Sequence, residues 1–253
     1  MKFRVLGCSG GIGDGRHTTA FLLDDDILVD CGTGVTTLTH AEMRRIDHVF
    51  LTHAHLDHIA ALPLLLDSVA GERTCPVTLH ALPEVLQTLQ GHLFNWHIWP
   101  DFSRIPSPEA PFMRYEPLHK GSPVNLNGRE LVAVAAHHVV PAVGYLMRAS
   151  GGSLLFSGDT SSHEELWQVA HATPDLQHLL VECSFEDALA EVADAAMHYH
   201  PAPLANDLLK FKSGAQVWIS HLKPGNEAAI LAELSGHGAS GFMALRAGQI
   251  IEI

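Results

Sequence analysis

Basic residues are scarce in this 253-residue chain. Its 15 lysines and arginines stand against 28 aspartates and glutamates, a formal net charge of −13. A broad nucleic-acid surface needs a basic patch to meet phosphate backbones, and none is visible. Long apolar runs are missing as well. No stretch approaches the roughly 20 apolar residues of a membrane helix. The opening Met1-Lys2-Phe3-Arg4-Val5-Leu6-Gly7 reads as a strand and lacks the pattern of a signal peptide. Cysteine is sparse: Cys8, Cys31, Cys75 and Cys183 form no Cys-x-x-Cys pair. This argues against a disulfide framework or a cysteine-based zinc site, and for a reducing cytoplasm. No Gly/Ser-rich linker divides the chain, so one globular domain over residues 1–253 is expected. The abundant residue is histidine, 19 copies, more than lysine and arginine together.

Apolar runs bounded by Gly or Asp predict strands at residues 3–6, 20–23 and 27–29, with Asp24-Asp25-Asp26 as a tight turn. Another strand is expected at 48–51. Ile59, Leu62, Leu65, Leu66 and Val69 then recur at helical spacing, with Pro63 set to kink or delay the helix. A strand at 77–80 and a helix at 83–94 follow. Residues 95–117 differ: Trp96, Trp99, Phe102, Phe112 and Tyr115 lie among five prolines, the mark of a lid or a packing arm. Beyond it, strands are expected at 131–136, 143–147, 153–156, 179–181, 217–219 and 249–253. Helices are expected at 164–170, 186–196, 203–211 and 227–234. Both halves begin with strands and finish in strand–helix alternation. That rhythm predicts an α/β fold with two sheets packed face to face and helices outside.

The chemistry concentrates in Thr52-His53-Ala54-His55-Leu56-Asp57-His58, between a buried strand and a helix. An extended backbone puts His53 and His55 on one side. Asp57 and His58 turn toward a neighbouring point. Polar side chains packed this densely between buried elements need a partner, and metal ions are the fitting one. Imidazole suits zinc, and iron or manganese when carboxylates join. One segment cannot complete two coordination spheres. His138, Asp159 in Ser157-Gly158-Asp159-Thr160, and His221 in Ser220-His221-Leu222-Lys223-Pro224 each follow a predicted strand and fit the missing ligands. The Gly7-Cys8-Ser9-Gly10-Gly11-Ile12-Gly13 run is out of register for a dinucleotide loop and precedes a strand, so it reads as a glycine-rich hairpin bordering the site.

His-x-His-x-Asp-His, followed by single His, Asp and His at strand ends, resembles the metallo-β-lactamase superfamily over nearly the whole chain. Within it, His53 to Ile59 is similar to the signature of class II 3′,5′-cyclic nucleotide phosphodiesterases, in the branch related to RNase Z. That signature has Gly or Ser where Ala61 stands, and an aliphatic residue where Pro63 stands. His138-Val139-Val140-Pro141-Ala142-Val143-Gly144-Tyr145 resembles a stretch common to those phosphodiesterases and RNase Z. The resemblance implies an αββα sandwich, two central mixed β-sheets flanked by helices. It also implies two divalent metals, with zinc favoured over manganese or iron. His53, His55 and His138 would hold one, Asp57, His58 and His221 the other, and Asp159 would bridge them. His137 competes with His138, whose spacing to Pro141, Gly144 and Tyr145 matches the family.

The implied reaction is hydrolysis of cAMP or cGMP to the 5′-monophosphate. Asp57 would orient the attacking water or accept its proton. His198, in a segment similar to one where a family histidine assists at the phosphate, is the candidate acid for the leaving oxygen, with His200 as competitor. Glu182 is either a support for a ligand histidine or a structural acceptor, Cys183 a small buried residue, and Asp30 a buried structural carboxylate. The alternatives are an RNase Z-like tRNA 3′-processing nuclease or another small cyclic phosphodiesterase. A thioester or lactone hydrolase and a non-hydrolytic iron-binding relative are further options. The acidic charge favours a small nucleotide over a polyanion, because bound dications reverse the sign only locally. A homodimer is implied by the resemblance.

Overall fold

The computed structural model describes all residues 1–253. In the first half β1 (Lys2–Gly7), β2 (Ala20–Leu23) and β3 (Ile27–Val29) form an antiparallel meander, and the turn between β2 and β3 contains Asp24, whose φ is positive. A short helix α1 (His40–Met43) leads to β4 (His48–Phe50), followed by α2 (Leu56–Ile59) and α3 (Leu62–Val69). The single helix expected here is two, because Pro63 lies in the first turn of α3, where its missing N–H costs no helical bond. Then come β5 (Val77–Ala81), α4 (Pro83–His92), a small hairpin of β6 (Pro106–Ser107) and β7 (Ala110–Pro111), and β8 (Met113–Pro117).

The second half runs β9 (Pro123–Leu126), β10 (Arg129–Ala135), β11 (Val143–Ala149), β12 (Gly152–Phe156), α5 (Glu164–Ala172), β13 (Leu176–Glu182), α6 (Ala190–Ala196), α7 (Pro201–Lys210), β14 (Gln216–Ser220), α8 (Glu227–Gly236), β15 (Phe242–Ala244) and β16 (Ile250–Glu252). Five strands have no counterpart in the sequence expectations: the two-residue pair β6 and β7, and in the large sheets β8, β9 and β15. The last three share a reason. Each is short or carries little apolar alternation, and each lies outermost in its sheet or nearly so, where few buried side chains mark it.

Two seven-stranded mixed sheets result, in the orders β16-β1-β2-β3-β4-β5-β8 and β15-β14-β13-β12-β11-β10-β9. Their facing surfaces share one core. Phe21 meets Phe156 edge-on at 5.0 Å, Phe50 meets Tyr145 at 5.8 Å, and the Tyr145 hydroxyl donates to the Leu51 carbonyl at 2.6 Å. Leu62, Leu65, Val85 and Leu89 of α3 and α4 extend that core. A second cluster packs Leu166, Leu204 and Ile230 of α5, α7 and α8 on the other sheet. This is the αββα sandwich. The central strands β2, β3 and β12 are buried along their whole length, as strands covered on both faces must be.

Residues 95–117 are largely a packing arm. Phe102 is buried, Trp99, Phe112 and Tyr115 pack against the core, and β8 completes the first sheet beside β5. Trp96 and Ile98 remain exposed. Trp99 is half-buried, because the chain folds back and the Trp99 backbone N–H reaches the Leu93 carbonyl.

Candidate metal centre

The ends of β4, β10, β12, β13 and β14 come to one edge of the sandwich. The pairings make this inevitable: β12, β13 and β14 are parallel, and β10 runs with them across the antiparallel β11. The two sheets touch there through the Val143 N–H and the Thr52 carbonyl at 3.1 Å. In such sheets the crevice outside the carboxyl ends is where ligands are held.

His53, His55, Asp57 and His58 leave β4 into α2, and Asp57 and His58 occupy its only full turn. The turn packs on Gly32, where a Cβ would come within 2.2 Å of the Asp57 carbonyl. His138 follows β10, Asp159 follows β12, and His221 follows β14 with φ +58. Gly10 lets the N-terminal hairpin press on His221, since a Cβ there would meet the His221 carbonyl at 2.5 Å. Thus the glycine run does border the site.

Two donor groups assemble, each with its donor atoms within 4.8 Å of one another: His53, His55 and His138, and Asp57, His58, Asp159 and His221. Asp159 Oδ2 lies 3.7 Å from His53 Nε2, 3.2 Å from His58 Nε2 and 3.3 Å from His221 Nε2. His221 Nε2 is also 3.2 Å from Asp57 Oδ2, and His138 Nε2 is 3.1 Å from His55 Nδ1. Of the alternatives left open by the sequence, His138 faces inward while His137 stacks on His163 at 4.8 Å.

The surrounding hydrogen bonds dictate how the imidazoles face. Asp30, fully buried, accepts from His58 Nδ1 at 2.7 Å. Thr52 donates its hydroxyl to Asp30, so its oxygen accepts from His53 Nδ1 at 3.0 Å. Ser184 donates to Glu182 at 2.8 Å and therefore accepts from His221 Nδ1 at 2.9 Å. His138 Nδ1 donates to the Met197 carbonyl at 3.2 Å. Four histidines are thereby held with Nδ1 protonated and the Nε2 lone pair turned inward, the tautomer a cation requires.

That arrangement does not satisfy itself. His53 Nε2 and Asp159 Oδ1 are buried with no hydrogen-bond partner, and two lone-pair nitrogens, His58 Nε2 and His221 Nε2, face each other at 3.4 Å. Orphaned buried polar atoms are costly. The side chains fit divalent cations between them. The carboxylates draw positive charge to this point, a proton on His58 where no cation supplies it. Burial holds His53 well below the ordinary imidazole range. In His58 the same burial is outweighed by Asp159 and Asp30, which push it well above. Burial would raise the carboxyls of Asp57 and Asp159, yet His221 and His58 hold both low.

His198 stands beside this cluster. Its Nδ1 is 2.6 Å from Glu182 Oε1, and its donor atom falls within 4.8 Å of those of His138 and Asp159. Burial depresses its proton affinity, but the Glu182 carboxylate more than compensates and raises it. His200, the competitor, is tied to Asp187 at 2.6 Å. Glu182 is fully buried. It touches His198 directly and reaches His221 only through Ser184, so its contact with a ligand histidine is indirect. Cys183 is buried and offers no donor to either group. The sequence puts Asp30 near the centre as a structural carboxylate, without a partner, and assigns no role to Thr52, Ser184 or the Met197 carbonyl. Asp30 follows β3 at the same sheet edge and Ser184 lies two residues past Glu182, which are the signals that point to them.

A family model described as "Beta-lactamase superfamily domain" matches residues 25–235, most of the chain and all of the donors just described. The chain belongs to the metallo-β-lactamase superfamily. Among curated proteins it is 22% identical to a probable 3′,5′-cyclic-nucleotide phosphodiesterase of Yersinia pestis, over 87% of this chain and 77% of that protein. It is 28% identical to a ribonuclease Z of Clostridium beijerinckii, over 56% of this chain but 47% of that protein. Of solved structures, unliganded yeast PDE1 superposes with a TM-score of 0.81 at 20% identity, covering 98% of each chain. No helix of this chain is long and apolar enough to cross a membrane.

Proposed function

We propose that this chain is a metal-dependent phosphodiesterase that hydrolyses 3′,5′-cyclic nucleotides, cAMP or cGMP, to nucleoside 5′-monophosphates. The observation that carries the reading is His198, held by buried Glu182 beside an inward-facing donor set suited to positive charge. In this reading His53, His55 and His138 hold one divalent cation, Asp57, His58 and His221 a second, and Asp159 lies between them. Zinc suits the imidazole-rich set, with manganese or iron as alternatives. The chemistry such cations supply is charge neutralisation at the phosphate and a water acidic enough to ionise near neutrality.

The chain's own groups do the rest. Asp57 is the carboxylate of the set that solvent still reaches, so it orients the attacking water and receives its proton. Water adds at phosphorus and the bond to the 3′ oxygen breaks. His198, with Nδ1 tied to Glu182, delivers a proton from Nε2 to that oxygen. Likeness to cyclic-nucleotide phosphodiesterases over most of the chain supports the substrate class. A nuclease acting on tRNA is the second reading, from likeness to a ribonuclease Z over 56% of this chain. The net charge of −13, and an arm at 95–117 whose cations are Arg104 and Arg114, favour the small substrate. Four free cysteines support the cytoplasmic setting, and exposed Trp96 and Ile98 support a self-association surface. The test is metal analysis of the purified protein with turnover of cAMP, cGMP and precursor tRNA. Cyclic-nucleotide hydrolysis is expected, and cleavage of tRNA alone overturns the reading.

A further inference from the structure

A cavity of about 160 Å³ opens between α4 and the loop that follows His138. Ala54, Val85, Val140 and Pro141 give it apolar walls, suited to the faces of a flat ring. His55 lines it too, so the cavity abuts the candidate centre.

Its polar lining comes from α4. Glu84 and Thr88 lie one helical turn apart and share a face. The Thr88 hydroxyl spends its proton on the Glu84 backbone carbonyl at 3.0 Å, leaving only lone pairs for an occupant. The Glu84 carboxylate is engaged by no donor of the chain, and no lysine or arginine lines the cavity. The α4 side of the cavity therefore presents acceptors, and a complementary ring must present donors. Guanine carries two adjacent donors, N1–H and the N2 amino group, which a carboxylate takes as two parallel bonds. Adenine sets a lone-pair nitrogen beside its amino group, and that lone pair faces a carboxylate oxygen unfavourably.

We infer that this cavity receives the base of the substrate and that Glu84 selects guanine over adenine. The inference rests on the cyclic-nucleotide reading above and extends it to a base preference.

The test compares metal-loaded wild-type and Glu84→Gln protein by calorimetric binding of GMP and AMP, alongside turnover of cGMP and cAMP. Wild type should bind GMP about tenfold more tightly than AMP, the scale of one good bidentate base contact. Glu84→Gln should reverse that order, because an amide offers one acceptor and one donor, the pattern adenine matches. Equal binding of GMP and AMP by wild type, or an unchanged ratio in Glu84→Gln, overturns the assignment. Turnover of both cyclic nucleotides without base preference sinks the pocket and leaves the phosphodiesterase standing. Preferential, Glu84-dependent GMP binding without turnover does the reverse.

Discussion

The first half of the molecule delivers His53, His55, Asp57 and His58 from one continuous segment at the end of β4. The second half delivers His138, Asp159, Glu182, His198 and His221 singly, each from a different segment. A contiguous cluster is positioned by local backbone and by one turn of helix. Dispersed groups reach the same point only when β10, β12, β13 and β14 are in register. The supporting contacts differ likewise. The first half uses a buried carboxylate, Asp30, while the second uses a relay through Ser184 and a main-chain carbonyl. The Asp30 contact thus stays within the first sheet, where β3 pairs with β4, and the Ser184 relay stays within the second.

Asp159 is where the halves meet, and its loss should do the most damage. Asp159→Ala is expected to lower kcat/KM by about 10³-fold or more and to reduce bound metal measured by elemental analysis. Full metal content with near-normal turnover would separate the halves after all. His198→Ala should come next, lowering kcat about 10²-fold while metal content stays at the wild-type level. A loss of metal in that variant would make His198 a ligand and extend the dispersed set.

The two supporting contacts test the comparison directly. Asp30→Asn should weaken metal affinity about tenfold to a hundredfold, read by competition with a chelator. Asp30→Ala should in addition destabilise the chelated protein by about 3 kcal/mol, read by urea unfolding, since a buried imidazole loses its partner. Ser184→Ala should cost only about 1 kcal/mol. Equal effects from the two sites would erase the difference between local and dispersed support.

The smallest effect is expected at Glu42, which caps α1 in the first half away from the donors. The Thr39 N–H and hydroxyl, with Arg4, bring its carboxyl down to about 2. A carboxyl lowered in the folded state stabilises above its unfolded value and loses that contribution as pH falls toward 2. Glu42→Gln should therefore cost no more than about 1 kcal/mol at neutral pH. The deficit should vanish near pH 2, with activity at neutral pH unchanged, as thermal unfolding and a turnover assay would record.

How much of this was legible follows the same division. His53 to His58 stands out because four candidate donors fall within six residues, a spacing that chance rarely produces. His138, Asp159 and His221 were legible as singles at strand ends, because strand boundaries marked by apolar runs locate a sheet edge. Asp30 was seen as buried but not as the partner of His58, since 28 residues separate them and only the pairing of β3 with β4 closes that distance. Ser184 gave no signal, a serine being common in any turn. β8, β9 and β15 were missed because strands at or near a sheet edge bury little.

By itself the sequence determined the αββα alternation, the donor chemistry and the family, all of which reside in residue type and local spacing. Only the tertiary structure decided that His138 and not His137 faces the centre, that Glu182 grips His198, and that four of the five inward imidazoles have the outer nitrogen engaged. Those are matters of register and of contacts between distant segments. A one-residue shift of a strand would turn each of these side chains to the opposite face.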